Sequence, residues 1–221
     1  MSKATIYLGN KNYSSWSLRG WLMLSMSGLS FDEIVIPLDQ RETTETILKY
    51  SPSGRVPALS HGDVRIWDSL AIGEYLAEIC PKAGLWPKAR QTRAHARSVS
   101  AEMHAGFASL REDLPMNVRR SAPGRKYGRQ TQSDINRITA IWRDCLNRYG
   151  EGGSFLFGDP GIADAMFAPV ASRFRTYGID LDETSTGYVE AIHNLRSMKN
   201  WTQAARNEPM VNERYETEED N

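Results

Sequence analysis

The chain has 221 residues, of which 40% are hydrophobic, and its formal net charge at pH 7 is zero. This length and composition suffice for a substantial core in one or two domains and argue against global disorder. The basic stretch at residues 85–130 lacks the interleaved aromatic residues of single-strand nucleic-acid binders, so we expect no nucleic-acid partner.

The sequence also limits the compartment. No hydrophobic run reaches the ~18 residues of a membrane span, and the start M-S-K-A-T-I-Y-L is too short and too polar for a signal peptide. Cys80 and Cys145 lie far apart, which argues against a disulfide scaffold or a cysteine zinc cluster, and the histidines have no metal-binding spacing. We therefore expect a cytoplasmic protein with no membrane partner and no metal site.

The first 80 residues change their hydrophobic period several times and predict the order β-α-β-α-β-β-α. The predicted elements are a strand A-T-I-Y-L-G, a helix at residues 17–26, a strand F-D-E-I-V-I-P-L, a helix at 42–50, strands V-P-A-L-S and V-R-I-W, and a helix at 69–79. The strand-helix-strand start predicts a parallel pair with a right-handed crossover. The two short strands predict an antiparallel hairpin at the sheet edge.

The segment C-P-K-A-G-L-W-P predicts a linker at residues 81–90, because proline and glycine interrupt regular structure. Residues 91–210 are predicted to form an all-helical domain, and residues 211–221 a solvated acidic tail. The predicted helices span residues 88–114, 131–149, 162–177, 187–193 and 198–206. Small-molecule sites often lie between two such domains.

The segment N-Y-S-S-W-S-L-R-G, residues 12–20, places three serines between the first strand and the first helix. A turn needs one capping hydroxyl, so the other serines are available for another role. The unpaired N–H groups at a helix start stabilise an anion, and a nearby hydroxyl donates one more hydrogen bond. A thiolate, a phosphate or a carboxylate would each fit such a site.

Two further motifs restrict the ligand. In S-G-R-V-P-A-L, a cis Val56–Pro57 bond would free the Val56 backbone to pair with an extended peptide. In W-D-S-L-A-I, Asp68 and Ser69 stand at a helix start, where Ser69 is the expected N-cap and a carboxylate could bind. A short, anionic, thiol-bearing peptide would satisfy all three features.

These motifs resemble those of the cytosolic glutathione transferases, particularly the serine-type, zeta-like bacterial subgroup. V-P-A-L and W-D-S-L-A-I-G-E-Y-L carry the resemblance, supported by L-W-P and G-I-A-D-A-M-F-A-P-V, and it covers the chain up to the tail. The resemblance implies an α/β thioredoxin-like domain at residues 1–80 followed by the all-α domain. It also implies glutathione as co-substrate, no tightly bound cofactor, and a homodimer.

The resemblance also assigns site residues, although Trp16 replaces the cysteine of the zeta pattern. It implies that one of Ser14, Ser15 and Tyr13 donates to the glutathione sulfur, with the two serines as the catalytic candidates. The residues expected to bind glutathione are Tyr13, Arg55, Val56, Pro57, Asp68 and Ser69. Those expected to border the co-substrate pocket are Met103, His104, Phe107 and Arg111.

The function implied is transfer of glutathione to small electrophiles, as in detoxification. A glutathione-dependent cis-trans isomerase of the maleylacetoacetate type is one alternative. A non-catalytic glutathione-binding or regulatory protein on the same fold is another.

Overall fold

The computed structural model describes residues 3–216. Its first part is a four-stranded sheet of order β2-β1-β3-β4, in which β1 runs parallel to β2 and antiparallel to β3, and β3 pairs antiparallel with β4. This confirms the predicted order, the parallel first pair and the terminal hairpin. The elements are β1 (Ala4–Leu8), α1 (Ser15–Ser27), β2 (Phe31–Val35), α2 (Thr43–Leu48), β3 (Ala58–His61), β4 (Val64–Trp67) and α3 (Ser69–Ile79).

Helices α1 and α3 pack closely, and glycine makes this approach possible at two positions. A Cβ atom on Gly73 would lie 2.8 Å from the Met23 sulfur, and one on Gly20 would lie 2.9 Å from Cγ of Pro57. Both distances are too short for a van der Waals contact, so a larger residue would have to displace the Met23 side chain or the Pro57 ring.

The second part of the structure is helical. Its elements are α4 (Arg90–Ala105), α5 (Ala108–Asp113), α6 (Arg129–Tyr149), α7 (Ile162–Tyr177), α8 (Glu183–Asn194) and α9 (Arg196–Asn207), with short 3₁₀ turns at Pro81–Ala83 and Glu213–Tyr215. Helix α7 is buried along almost its whole length and lies at the centre. None of the helices within residues 3–216 is long and apolar enough to cross a membrane. Together the sheet and these helices form the thioredoxin-like plus all-α fold expected from the sequence.

The prediction of one helix over residues 88–114 is wrong. The chain breaks between α4 and α5, where Phe107 adopts a left-handed backbone with φ of +62°. The Arg111 guanidinium folds back and donates to the carbonyl oxygens of Met103 and His104, two of the last carbonyls of α4. The hydrophobic period runs on through the break because the buried residues before and after it join the same core.

The described part of the predicted tail, residues 211–216, is mostly exposed but contacts the rest of the protein. The Tyr215 ring stacks on Tyr13 with the ring centroids 5.5 Å apart, and Asn212 is buried. Residues 217–221, the rest of the predicted acidic tail, lie outside the described residues. The predicted linker contacts the helical part, since the Leu85 carbonyl accepts a hydrogen bond from the Ile162 amide.

A buried carboxylate holds the start of α7. Asp164 accepts hydrogen bonds from the Gly161 amide at 2.9 Å, the Leu156 amide at 3.2 Å and the Tyr188 hydroxyl at 3.0 Å. Burial raises the pKa of Asp164 to about 6, although these three donors favour the ionised form. A carboxyl whose native pKa is raised stabilises the folded chain most below its ordinary pKa, and loses that contribution as pH rises through about 6.

We expect Asp164→Ala to lower the free energy of unfolding by about 3 kcal/mol, because three buried donors lose their acceptor. The loss should be larger at pH 5 than at pH 7, following the sign of the pKa shift. Denaturant titrations at both pH values measure it, with the exposed Asp180→Ala as matched control. Equal stability of the two variants would contradict this account.

Candidate functional site

The loop before α1 is tied to the first helical turn by serines. Ser14 is the N-cap of α1, and its Oγ accepts from the Ser17 amide at 3.3 Å and donates to Ser17 Oγ at 2.8 Å. Ser17 Oγ also accepts from the Gly9 amide at 2.9 Å. The helix therefore begins at Ser15, two residues before the predicted start. Residues 9–14 are called the serine loop below.

Both serine hydroxyls at this junction can donate to a ligand. The Ser15 hydroxyl, at the first residue of α1, makes no hydrogen bond to any residue within 3–216. Ser14 is bonded to Ser17, but hydroxyl protons rotate, so Ser17 can donate to Ser14 and release the Ser14 proton. The first amides of α1, at Ser15 and Trp16, likewise have no acceptor within the described chain and are available to a ligand.

Tyr13 differs from its neighbours because its hydroxyl is fully used. It donates to Glu216, and it accepts from Arg119 Nη2 at 2.9 Å and from the Asn212 amide at 3.2 Å. A bond from this hydroxyl to a ligand would require the Glu216 bond to break. Among the three candidate donors, Tyr13 therefore fits the role least well.

The turn before β3 exposes one backbone segment. The Val56–Pro57 peptide bond is cis, as hypothesised from the sequence. Strand pairing starts at Ala58, so the Val56 amide and carbonyl stand outside the ladder and have no backbone partner in the described part of the chain. Arg55 beside it is exposed, whereas Pro57 is buried. An extended ligand could pair with Val56 as an added strand would.

The start of α3 departs from the prediction. Asp68, not Ser69, is the N-cap, and its Oδ1 accepts from the Leu70 and Ala71 amides at 2.8 and 3.2 Å. The carboxylate reaches two amides and is favoured by the positive helix end. Ser69 is instead the first helical residue, and its buried hydroxyl has no hydrogen-bond partner among residues 3–216. This hydroxyl is available to a ligand carboxylate.

Two of the predicted pocket residues lie against Trp16, which is in the first turn of α1. The His104 ring lies 5.2 Å from the Trp16 ring, and its Nε2 is 3.1 Å from Asp68 Oδ2. The Arg111 guanidinium lies 4.6 Å from the Trp16 ring centroid. Met103 is fully buried and Phe107 nearly so, which places both in the hydrophobic core. His104 and Arg111 are thus better placed than Met103 and Phe107 to meet a ligand.

An arginine cluster, consisting of Arg19, Arg111 and Arg173, lies behind this surface. Arg19 is fully buried, 4.4 Å from the Trp16 ring centroid, and its Nε donates to the Met166 carbonyl at 3.0 Å. Its Nη1 has no hydrogen-bond partner in the described residues. Burial lowers the pKa of Arg19 well below its usual value, and repulsion from the other two arginines lowers it further. Burial likewise lowers the pKa of Arg111, and that of Arg173 to about 10.

This cluster was only partly foreseen. Arg19 lies on α1, but its Nε donates a hydrogen bond to the Met166 carbonyl of α7. Arg173 was not singled out at all. The available signal was an arginine on a helix whose buried residues are mostly apolar. A buried cation without a carboxylate partner favours an anion nearby.

Two other features lie away from this site. A cavity of about 550 Å³ opens between the linker and the loop before α7, and it includes none of the predicted site residues. His95, Asp144 and Cys145 place ligand atoms within 4.8 Å of one another. Burial raises the pKa of the Cys145 thiol to about 12, so this sulfur stays protonated and is a poor metal ligand.

Sequence comparison finds a match to the family model for the glutathione S-transferase N-terminal domain over residues 13–79. The chain is 36% identical over 209 residues to glutathione S-transferase Z2 of Arabidopsis thaliana, covering 86% of this chain and 89% of the relative. It is 25% identical over 187 residues to a probable maleylacetoacetate isomerase of Caenorhabditis elegans, covering 83% and 85% of the two chains.

Structure comparison gives the same fold. A glutathione transferase homologue from Burkholderia gl BGR1, solved with bound glutathione, superposes with a TM-score of 0.72 at 24% identity, covering 94% of this chain and 100% of the other. A maleyl pyruvate isomerase, described as a zeta-class bacterial glutathione S-transferase, gives a TM-score of 0.72 at 21% identity with the same coverage.

We expect Tyr13→Phe to lower the free energy of unfolding by about 1–2 kcal/mol, because Arg119 and the Asn212 amide lose a buried acceptor. The matched control is Tyr127→Phe, which removes a hydroxyl bonded to Gln132 at an exposed position. Denaturant unfolding of both variants measures the difference. If Tyr127→Phe costs as much as Tyr13→Phe, the three bonds of Tyr13 do not stabilise the fold.

Proposed function

Because the chain belongs to the glutathione S-transferase family, we propose that it ionises the thiol of glutathione and transfers the thiolate to a small electrophile. The observation that carries this proposal is the start of α1. There the Ser14 and Ser15 hydroxyls stand beside the unpaired amides of Ser15 and Trp16. These groups form a compact set of donors for an anionic sulfur.

The proposed chemistry is stabilisation of a nucleophile that arrives with the substrate. One hydrogen bond to a charged group contributes about 1.5–3 kcal/mol, which lowers a thiol pKa by about one to two units. When Ser14 donates to sulfur, Ser17 turns its own proton toward Ser14 Oγ, so the capping contact persists. The junction then needs no general base, because the solvent takes the thiol proton.

In this proposal, the neighbouring groups bind the other parts of glutathione. The Val56 backbone pairs with the middle of the tripeptide, and Pro57 packs below it. The unpaired Ser69 hydroxyl and the Ser69 amide hold the γ-glutamyl carboxylate, while the Asp68 carboxylate, which caps the Leu70 and Ala71 amides, lies near its ammonium group. Arg55 is exposed and free to reach the other carboxylate. Tyr13 contributes its ring edge to the site wall.

The co-substrate would bind between the proposed glutathione domain (residues 1–80) and helical domain (91–210), which are joined by the linker at 81–90. His104 and Arg111 border that position through Trp16. The proposal includes a homodimer, consistent with exposed hydrophobic side chains at Leu48 and Trp67. It also places the protein in the cytoplasm, in detoxification, with no tightly bound cofactor.

A second candidate function is glutathione-dependent cis-trans isomerisation of an anionic substrate. The arginine cluster favours it, because a charged co-substrate would relieve the mutual repulsion of these side chains. The relatives named as maleylacetoacetate isomerases point the same way. In such a reaction the thiolate adds to the double bond and is expelled after rotation, so glutathione is regenerated.

We expect Ser14→Ala to raise the pKa of bound glutathione by about one to two units, because one charge-assisted hydrogen bond is lost. The thiolate absorbance of bound glutathione, titrated in wild type, Ser14→Ala and Ser15→Ala, identifies the donor. Ser98→Ala, an exposed serine on α4, is the matched control. A non-catalytic binding protein would instead bind glutathione with its thiol pKa unchanged in all four proteins.

The two reactions are separated by their products. With chlorodinitrobenzene and glutathione, we expect the thioether to form at a rate that Ser14→Ala lowers by about tenfold or more. With maleylacetoacetate and glutathione, the isomerase candidate requires trans product without loss of free thiol. Trans product in the absence of any thioether formation would make isomerisation the better description.

A further inference from the structure

We propose that Arg119 is a positioning residue for the serine loop, acting through Tyr13 and residues 208–216 to fix Ser14 at the start of α1. The inference rests on the proposed function, in which this junction acts on the sulfur of glutathione. No hydrogen bond or ion pair joins Arg119 to Ser14 or Ser15 in the described structure. Its effect on the sulfur must therefore pass through the loop.

The serine loop depends on distant residues for its conformation. Its internal backbone bonds run from the Tyr13 and Ser14 amides to the Asn10 carbonyl. Residues outside the serine loop hold Asn12. Its carbonyl accepts a hydrogen bond from the Val118 amide, and its side-chain oxygen accepts one from the Arg119 amide at 2.9 Å. The loop between α5 and α6 therefore determines where Asn12 sits.

The Arg119 guanidinium extends this support to a third segment. Its Nη2 donates to the Tyr13 hydroxyl at 2.9 Å and to the Met210 carbonyl at 3.1 Å, while its Nη1 donates to the Glu208 carbonyl at 2.9 Å. One planar group thus joins the serine loop to two carbonyls of the chain after α9. Its side chain is only 25% exposed, so water replaces these bonds poorly.

The segment that Arg119 holds contacts the serine loop directly. The Glu208 carboxylate accepts from the Lys11 amide, and the Tyr13 hydroxyl accepts from the Asn212 amide at 3.2 Å. Arg119 therefore holds both partners of these contacts, because it donates hydrogen bonds to the Tyr13 hydroxyl and the carbonyls of Glu208 and Met210. Loss of the guanidinium would leave the Tyr13 hydroxyl and both carbonyls without their cationic donor.

The geometry also explains the choice of arginine. The three acceptors lie around one side chain, and a guanidinium offers donors fixed in a planar fork. A lysine ammonium carries the same charge but is a single point of donation. Arg119→Lys should therefore restore the charge while restoring the loop position only in part.

The test compares Arg119→Gln and Arg119→Lys with wild type. Arg137→Gln is the matched control, since Arg137 makes a bidentate pair with Glu102 at 2.6 and 2.8 Å away from the loop. Amide hydrogen exchange in residues 9–17 reports the loop, the thiolate titration reports bound glutathione, and affinity for S-methylglutathione reports ligand binding alone.

For Arg119→Gln we expect exchange about tenfold faster and a bound-thiol pKa about one unit higher. Affinity for S-methylglutathione should change by less than about threefold, because the peptide-binding groups are untouched. Arg119→Lys should give exchange rates and a bound-thiol pKa between those of wild type and Arg119→Gln. Arg137→Gln should give the wild-type values.

The inference would be overturned if a folded Arg119→Gln protein showed wild-type exchange rates in residues 9–17. It would also be overturned if the thiol of glutathione bound to that variant had the wild-type pKa. If Arg119→Gln does not fold, Arg119→Lys is judged by the same two criteria. Failure of the wild-type protein to bind glutathione would overturn the proposed function instead. The exchange comparison would then decide by itself whether Arg119 positions the loop.

Discussion

The candidate site depends on how the serine loop is held, because this short segment must place the Ser14 hydroxyl at the start of α1 without regular structure of its own. Lys11 shows the nature of the support. Its ammonium group is buried between the rings of Trp21 and Trp201, at 5.6 and 5.4 Å from their centroids, and pairs with Glu33. The Trp201 indole donates to the Lys11 carbonyl at 3.0 Å. The loop is thus clamped between the sheet domain and helix α9.

Burial of charge near the start of α1 lowers the stability of the fold. Burying Arg19 removes a guanidinium from water, and within residues 3–216 the Met166 carbonyl and the face of Trp16 replace part of its hydration. The neighbouring arginines add repulsion. A chain selected for stability alone would place an apolar residue there. In the proposed function, the thiolate or an anionic co-substrate would offset part of this cost.

The sequence predicted the order of strands and helices well, because hydrophobic period and proline or glycine punctuation are local signals. The bounds of α7 and α3 agree with their patterns. The break at Phe107 was missed because the buried residues keep their spacing across it. The capping role of Asp68 was given to Ser69 because both residue types cap helices. Arg119 and Glu208 were not foreseen, because their contacts with the serine loop span about 106 and 197 residues and leave no local pattern.

The bonds from residues 208 and 212 to the serine loop have a consequence for biosynthesis. Lys11 and Tyr13 leave the ribosome long before Glu208 and Asn212, their partners in the finished fold. At about 5–20 residues per second, translation of the intervening chain takes roughly 10–40 s. During that interval the sheet can form, while the junction that would bind the thiol still lacks its clamp. A nascent or truncated chain that lacks residues 208–212 would therefore contain Ser14 and Ser15 without the contacts that hold the serine loop in place.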